Sequence, residues 1–288
     1  MILITGAGGK TGQAIIRALV TKGQAIRALV RRAEQARPTE SLGAQEVVIG
    51  ELRDEATLRQ AAQGVWAIYH ICPNVHPDEV SIGRAAIAAA RAAGVEHFVY
   101  HSVLHPQIEA MPHHWNKLRV EEALFESGLP YTVLQPAAYM QNVLAGWDEI
   151  VTRGVYSVPY STQAPLSLVD LEDAAEAAAA VLTEPGHAGA IYELAGPEVL
   201  TPSAIADALS RGLRRPVRAE QIAIEAWVSN AEASGMETYA IDALVKMFRY
   251  YDRVGLWGNS RVLSNLLGRA PARFDAFVER AVRKKLGR

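Results

Sequence analysis

The sequence of 288 residues contains a single cysteine, Cys72, so no disulfide can form within the chain. Its net charge is also small, because 29 Lys and Arg face 31 Asp and Glu and leave −2 at neutral pH. This balance gives no electrostatic attraction for nucleic acid or for an anionic membrane. No hydrophobic run reaches the length of a transmembrane helix, and no leader-like apolar segment opens the chain. We therefore expect a cytoplasmic globular protein without a nucleic-acid or membrane partner.

A short basic cluster lies at the carboxyl end of the sequence. It consists of Arg283, Lys284, Lys285 and Arg288. Because positive side chains complement the negative end of a helix dipole, we interpret the cluster as the end of a helix rather than as a polyanion site.

The first twelve residues contain a glycine-rich turn between two apolar segments. Residues 1–5 form an apolar run that predicts a buried strand, and the periodic apolar positions of 12–22 predict a helix. The turn is predicted to bind a dinucleotide through Gly6, Gly8, Gly9, Lys10, Thr11 and Gly12. Glycines let the backbone approach a pyrophosphate, and the helix N-terminus presents free N–H groups to that anion.

Two other interpretations of this turn are open. The motif Gly9-Lys10-Thr11 resembles the end of a phosphate-binding loop, but that pattern needs a glycine at position 4, where Ile4 stands. The turn could also be merely structural. The strand-turn-helix context favours the dinucleotide site.

The second predicted strand, residues 24–30, ends in Arg31 and Arg32. An NAD site usually has an acidic residue here for the ribose 2′-hydroxyl, whereas arginine accommodates the 2′-phosphate of NADP. No Asp or Glu occurs from 24 to 33. The sequence therefore predicts NADP(H) in preference to NAD(H), the alternative being a solvated arginine pair at a strand end.

Strands alternate with helices in the first half of the chain, which predicts an α/β fold with a doubly wound, Rossmann-type parallel sheet. Predicted strands are 1–5, 24–30, 45–49, 65–72, 95–102 and 130–135, with helices at 12–22, 54–63, 78–93 and 113–127. Later strands are predicted at 155–160, 165–169, 190–194 and 217–222, and a helix at 170–183. Asp54 and Thr201 are predicted helix N-caps.

Residues 1–150 are predicted to form the cofactor domain, and 151–288 a smaller, mostly helical substrate-side region. The strand near 190 could rejoin the main sheet. The pentapeptide I-R-A-L-V occurs at 16–20 and again at 26–30, where we predict a helix and a strand respectively. This is possible because tertiary context overrides weak local preference.

Several further motifs are similar to those of the NmrA-like family of atypical short-chain dehydrogenases/reductases. They are T-G-A-G-G-K-T-G at 5–12, L-V-R at 29–31, G-E-L-R-D at 50–54, H-S-V at 101–103, H-W-N-K at 114–117 with V-E at 120–121, Y-T-V-L-Q-P at 131–136 with Asn142, and V-D-L-E-D-A at 169–174. The resemblance extends to about residue 197. It implies a Rossmann-type fold and NADP(H) binding.

The family contains both reductases and regulators that only sense the dinucleotide. Reductases of the wider superfamily use Tyr-x-x-x-Lys, which occurs nowhere in this sequence; His113 stands where the tyrosine would be, four residues before Lys117. By this resemblance Lys117 is expected to bind the cofactor ribose, unless it is a surface lysine. His113 is a candidate general acid, because imidazole titrates near neutrality, or else a loop residue.

Two more candidate catalytic residues follow predicted strands. Ser102 could orient a carbonyl or could simply be a turn serine, and Tyr139 is an alternative proton donor or a packing residue. By resemblance, further cofactor contacts are expected from Glu51 and Leu52 near the adenine, and from Cys72 and Pro73 near the ribose and phosphates. Cys72 is otherwise interpreted as a small buried hydrophobic residue.

Metal and hydrolase chemistry are disfavoured. Residues four apart on a strand, such as His97 and His101, lie roughly 13 Å apart, which is too far to share one ion. No G-x-S-x-G motif is present. The sequence thus predicts an NADPH-dependent reductase of a small carbonyl, quinone or similar acceptor. The alternatives are a non-catalytic NADP(H) sensor and a sugar-nucleotide epimerase, and whether a homodimer or a regulatory protein is a partner stays open.

Overall fold

The computed structural model of the protein describes residues 1–287. Its strands are β1 (Ile2–Ile4), β2 (Ile26–Val30), β3 (Glu46–Ile49), β4 (Ala67–His70), β5 (His97–His101), β6 (Tyr131–Pro136), β7 (Ala138–Tyr139), β8 (Val155–Val158), β9 (Leu166–Val169), β10 (Ala190–Leu194), β11 (Val199–Leu200) and β12 (Arg218–Gln221). Its helices are α1 (Lys10–Thr21), α2 (Ala36–Glu40), α3 (Glu55–Ala62), α4 (Glu79–Ala92), α5 (Pro112–Phe125), α6 (Trp147–Arg153), α7 (Leu171–Thr183), α8 (Pro202–Leu213), α9 (Ile224–Ala233), α10 (Thr238–Val254), α11 (Arg261–Leu267) and α12 (Phe274–Leu286). Two 3-10 segments, Ala33–Gln35 and Met140–Gly146, complete the regular structure.

The central sheet has seven strands in the order β10-β6-β5-β4-β1-β2-β3. Strands β1 to β6 run parallel to one another. The order reverses at β1, so the carboxyl ends of β1 and β4 lie side by side where α/β sheets bind ligands. This confirms the predicted doubly wound, Rossmann-type α/β fold.

The predicted elements are present, with ends that differ by a few residues. The first I-R-A-L-V copy lies within α1 and the second forms β2, as expected. Asp54 caps α3 by accepting hydrogen bonds from the amides of Ala56 and Thr57, and Thr201 caps α8 through the amide of Ala204. The short elements α2, β7 and β11 have no counterpart in the sequence prediction.

The chain forms two compact units that are not its two halves. The first comprises Met1–Glu109, His113–Gln135 and Ala174–Tyr192. The second comprises Ala110–Pro112, Pro136–Asp173 and the chain from Glu193 onward. Strand β10 lies beside β6 in the main sheet, so the chain returns to the first unit after residue 150. The predicted division at 150 falls inside the second unit.

The first unit has an apolar core beneath the sheet. Strands β1 and β4 are buried at every position, which explains why both appear in the sequence as continuous apolar runs. Phe98 and Val133 pack there with side chains of α3, α4 and α5 such as Leu58 and Val120.

The second unit contains the sheets β11-β9-β7 and β12-β8 and most of the later helices. Its carboxyl-terminal helices are tied by ion pairs to acidic residues near α7. Arg280 contacts the buried carboxylate of Asp170, and Arg269 lies 2.7 Å from Asp173. The motif at 169–174 therefore supplies structural anchors for α12 and for the segment that follows α11.

The basic cluster lies where the sequence predicts it, in the last turn of α12, which contains Arg283, Lys284 and Lys285. Arg288 lies outside the described residues. Within residues 1–287, no helix combines the length and apolar character needed to cross a membrane.

Candidate functional site

The glycine turn joins the carboxyl end of β1 to the start of α1. Gly6 has φ +60°, a conformation that favours glycine, and the amide of Ala7 bonds the carbonyl of Leu29 at 3.2 Å. Helix α1 starts after its N-cap Gly9, and no side chain caps it. Its first turn contains no acidic residue. The amides at this helix end are therefore suited to an anion.

Close packing explains the last glycine of the motif. A Cβ at Gly12 would lie 2.6 Å from the carbonyl oxygen of Gly6 and 2.7 Å from Cα of Ala7. A Cβ at Gly8 would instead meet the side chain of Gln35, which lies over the turn. The turn is thus a bare backbone cradle on which α1 packs through Gly12, and the uncapped amides at the start of α1 are the groups that fit a dinucleotide pyrophosphate.

Thr5 links this turn to the end of β4. Its fully buried hydroxyl accepts the amide of Ile71 at 2.8 Å and lies 3.0 Å from Nδ1 of His70. The contacts fix the carboxyl ends of β1 and β4 relative to each other, and Cys72 and Pro73 follow directly.

Arg31 and Arg32 are both exposed at the end of β2. The guanidinium of Arg32 pairs with Glu34 at 2.6 Å, and its amide bonds the side chain of Gln35. No ion pair between Arg31 and another residue of the described chain is present. Arg31 is therefore the better placed of the two to bind a phosphate.

Lys117 lies on α5 and reaches the end of β5. Its ammonium is 2.9 Å from Oε1 of Glu79, 3.4 Å from the carbonyl oxygen of His101 and 5.5 Å from the ring centre of Tyr100. The side chains of Lys117 and Glu79 are 12% and 3% exposed. Lys117 is consequently a largely buried, ion-paired residue and not a surface lysine.

The carboxylate of Glu79 also accepts a hydrogen bond of 2.7 Å from the hydroxyl of Tyr100. Burial alone would raise the pKa of Glu79, but the charge of Lys117 and the hydrogen bonds from Tyr100, Lys117 and Cys72 hold that pKa below its ordinary value. For the Cys72 thiol, burial and then the Glu79 charge raise the pKa. Cys72 is therefore an unreactive buried thiol, which agrees with its interpretation as a small packing residue.

Ser102 follows β5 and donates a short hydrogen bond to Glu121 of α5. The amide of Gln135 donates to both carboxylate oxygens of Glu121, at 3.0 and 3.1 Å. Burial raises the pKa of Glu121, and the hydrogen bonds from Ser102 and Gln135 oppose that shift. Ser102 is hence part of a buried polar cluster rather than a simple turn serine.

His113 is buried in the first turn of α5, and its Nδ1 atom has no hydrogen-bond partner among the described residues. Its ring meets that of His114 edge-on, with centroids 4.7 Å apart. Burial, followed by the charge of Lys117, lowers the pKa of His113 to about 4. The imidazole is neutral at pH 7, so the expectation that it titrates near neutrality is not met.

His113, Lys117 and Glu121 recur at intervals of four residues and therefore share one face of α5. The remaining sequence candidates lie elsewhere. Glu51 is exposed after β3, whereas Leu52 is buried in the core of the first unit. Tyr139 is half-buried on β7 in the second unit, paired in register with Val169 of β9.

Four residues of this region were missing from the sequence-based candidates: Gln35, Glu79, Glu121 and Gln135. Glu121 and Gln135 belong to motifs that carry the family resemblance, and Glu121 lies four residues after Lys117, so a signal existed for both. Glu79 lies at a helix start, where an acidic residue is ordinarily exposed, and nothing local marks it or Gln35.

A model of the NmrA-like family matches residues 1–281. The chain belongs to the NmrA-like family. An NAD(P)H azoreductase of Xenophilus azovorans is 32% identical to this family member over 284 residues, which cover 97% of each chain.

Two solved structures are similar over the whole chain. The NADPH-dependent quinone oxidoreductase of Escherichia coli in complex with NADPH has a TM-score of 0.86 and 29% identity, and the match covers 98% of this chain and 99% of that one. The triphenylmethane reductase of Citrobacter sp. in complex with NADP(H) has a TM-score of 0.84 and 26% identity, with 98% and 100% covered. The predicted family is therefore confirmed.

Proposed function

We propose that this protein, an NADPH-dependent reductase of the NmrA-like family, transfers a hydride to a small quinone-like acceptor. The observation that carries the proposal is that the uncapped glycine turn follows β1 and the buried Lys117–Glu79 pair lies at the end of β5, two strands away in the same parallel sheet. The relatives, which include a quinone oxidoreductase in complex with NADPH, support the same cofactor and reaction class.

The residues of the turn would hold the cofactor pyrophosphate. Amides at the start of α1 would donate to the phosphate oxygens, with Gly6 and Gly12 allowing their close approach. Arg31 would bind the 2′-phosphate by charge-assisted hydrogen bonds, and Lys117 would bind the nicotinamide ribose. When bound, the dinucleotide supplies the hydride.

The proposed acceptor class rests on the protonation of the side chains that could donate a proton to the substrate at neutral pH. Burial lowers the pKa of His113 to about 4 and that of His101 to about 3. Burial, followed by the charge of Glu79, raises the pKa of Tyr100 well above its usual value, and the Tyr100 hydroxyl already donates to that carboxylate. A quinone suits such a site, because the quinol anion left by hydride transfer is a modest base that solvent can protonate. His113 would then act as a neutral hydrogen-bonding residue, and Ser102 could orient the acceptor oxygen only by turning its hydroxyl away from Glu121.

A carbonyl acceptor needs a proton more strongly, since hydride addition leaves a basic alkoxide. Ser102 could supply that proton only by giving up its hydrogen bond to Glu121. We therefore expect aldehydes and ketones to be reduced more slowly than quinones by the same enzyme.

The cofactor is tested by fluorescence titration of the purified protein with NADPH and NADH. Arg31→Ala should weaken NADPH binding about 10- to 100-fold, in the range of one hydrogen bond to a charged group, and leave NADH binding unchanged. Arg91→Ala is the matched control, because Arg91 is an exposed arginine in the last turn of α4, at the opposite edge of the sheet. An equal loss for both nucleotides would contradict the role of Arg31.

Turnover is tested by following NADPH consumption with 1,4-benzoquinone, 1,4-naphthoquinone and a panel of aldehydes and ketones. Consumption with the quinones and a slower rate with the carbonyls are expected. Faster reduction of the carbonyls would refute the acceptor class, although the reductase assignment would stand.

The second candidate function is an NADP(H) sensor. The absence of a tyrosine four residues before Lys117, and the low pKa of the His113 that replaces it, favour this alternative. Tight NADPH binding with no consumption across the whole panel would select the sensor.

A further inference from the structure

Glu79 is the point at which three separate segments of the first unit meet. Its carboxylate accepts the hydroxyl of Tyr100 from β5 at 2.7 Å and the ammonium of Lys117 from α5 at 2.9 Å. The thiol of Cys72, which follows β4, also bonds it. The Glu79 side chain of α4 thus connects the segment that follows β4, the end of β5 and the face of α5 that carries Lys117.

Among residues 1–287, the Glu79 carboxylate is the only negatively charged group within hydrogen-bond distance of the Lys117 ammonium. The titratable groups around the pair are His70 of β4, Cys72, Asp78 beside α4, Tyr100 and His101 of β5, and His113, His114 and Glu121 of α5. The four histidines are neutral at pH 7, because their pKa values are about 3 to 4. The Glu121 carboxylate is engaged by Ser102 and Gln135.

The surroundings also restrict where the ammonium lies. The carbonyl of His101 at 3.4 Å and the Tyr100 ring at 5.5 Å hold it at the carboxyl end of β5. Tyr100 is itself held by its bond to Glu79, so the carboxylate acts on Lys117 both directly and through the ring beside it.

We infer that Glu79 is the positioning residue of Lys117, whose ammonium it holds at the carboxyl end of β5, where the cofactor ribose would be bound. The inference rests on the proposed function for the role of Lys117. Glu79 does not itself contact the cofactor in this scheme. Its effect passes through the ammonium, so it should appear in cofactor binding and in the thermal stability of the protein without nucleotide.

The test uses Glu79→Gln, which keeps the size of the side chain and an acceptor oxygen but removes the charge. Asp78→Asn is the matched control, because Asp78 is the neighbouring residue and its carboxylate pairs with Arg53 at the surface. Lys117→Met reports what the loss of the ammonium costs. Binding of NADPH is measured by fluorescence titration, and the thermal midpoint of each variant is measured without nucleotide at pH 7.

Glu79→Gln should weaken NADPH binding at least about tenfold, similar to Lys117→Met, whereas Asp78→Asn binds as the wild type does. Without nucleotide, Glu79→Gln should melt well below the wild type at pH 7, because a buried ammonium has lost its counter-charge. Removing the ammonium as well should recover part of this loss, so the double variant Glu79→Gln with Lys117→Met should melt above Glu79→Gln alone. A merely structural hydrogen bond would give the same loss with or without the Lys117→Met substitution.

If Glu79→Gln binds NADPH as the wild type does while Lys117→Met does not, the inference is overturned and the proposed function stands. If the wild type itself fails to bind NADPH, the proposed function is overturned. Should Glu79→Gln not fold, Glu79→Asp retains the charge and shortens its reach, and an unchanged affinity in that variant would overturn the inference equally.

Discussion

Replacing Gly12 with alanine tests the backbone cradle directly. The added Cβ would lie 2.6 Å from the Gly6 carbonyl oxygen and 2.7 Å from Cα of Ala7, and both atoms belong to the backbone. No side-chain rotation relieves such contacts, so the turn must move away from α1 by roughly 1 Å to restore normal van der Waals separation. That displacement falls on the segment proposed to bind the pyrophosphate.

The stability effect is the difference between two opposing contributions. Overpacking costs about 1–3 kcal/mol, whereas alanine gains about 1 kcal/mol over glycine inside a helix. We therefore expect Gly12→Ala to lose about 0–2 kcal/mol of unfolding free energy, measured by urea denaturation. The NADPH dissociation constant should rise at least about tenfold, because several phosphate contacts would be displaced together.

Gly146→Ala is the control for this substitution. Gly146 lies at the N-cap of α6 with φ −97°, and a Cβ there would meet nothing within 4 Å. This variant should keep both its stability and its NADPH affinity. Unchanged NADPH binding by Gly12→Ala would refute the argument that the close approach of α1 to the turn shapes the phosphate site.

Three further predictions concern buried polar groups. Asp170→Ala should lower the unfolding free energy, measured by urea denaturation, by about 2 kcal/mol. This is less than for a fully buried pair, because Arg280 is 38% exposed. Glu172→Ala is the control and should change the unfolding free energy little, since the Glu172 carboxylate is 75% exposed. Burial lowers the pKa of His70 from 6.5 to about 4, so between these pH values the unfolded chain binds a proton that the folded chain does not. The unfolding free energy should therefore fall as the pH drops from 6.5 toward 4, by up to about 3 kcal/mol for this residue. His70→Asn should flatten that dependence, and an unchanged slope would contradict the assignment. The Cys72 thiol should react with an aromatic disulfide reagent at least about 100-fold more slowly in the native protein than in urea, since its pKa is raised and its side chain is buried.

The order of the elements could be predicted from the sequence because it depends on patterns with a fixed period. Apolar runs such as residues 2–4 and 67–69 are buried on both faces of a parallel sheet, so no polar residue interrupts them. The repeated I-R-A-L-V segment shows where this approach needs context. In α1 it follows the glycine turn, and in β2 it pairs with β1 from Ile26 to Ala28. The tertiary surroundings of each copy, not the pentapeptide, decide its structure.

The partners of the functional side chains could not be predicted in the same way. Glu79 and Lys117 are 38 residues apart in sequence and meet only because α4 and α5 pack on the same side of β4 and β5. Their types are ordinary for helix surfaces, and no local pattern distinguishes a buried ion pair from two exposed charges. The glycine turn was accessible because its chemistry is contained in one continuous segment.

The depressed pKa values of the histidines change how the missing tyrosine is understood. An imidazole at His113 with a pKa near neutrality would have replaced the superfamily's proton donor by another acid. Its burial beside the Lys117 ammonium instead leaves a neutral ring whose Nδ1 atom has no partner in the described chain. A neutral imidazole can bind and orient a polar acceptor without donating a full proton. The Lys117–Glu79 pair carries no net negative charge that would raise the pKa of His113 back toward neutrality. In the proposed reaction, the same burial that removes the acid would favour acceptors whose reduced form is a weak base, which would tie the choice of acceptor to the packing of α5 rather than to a single catalytic residue.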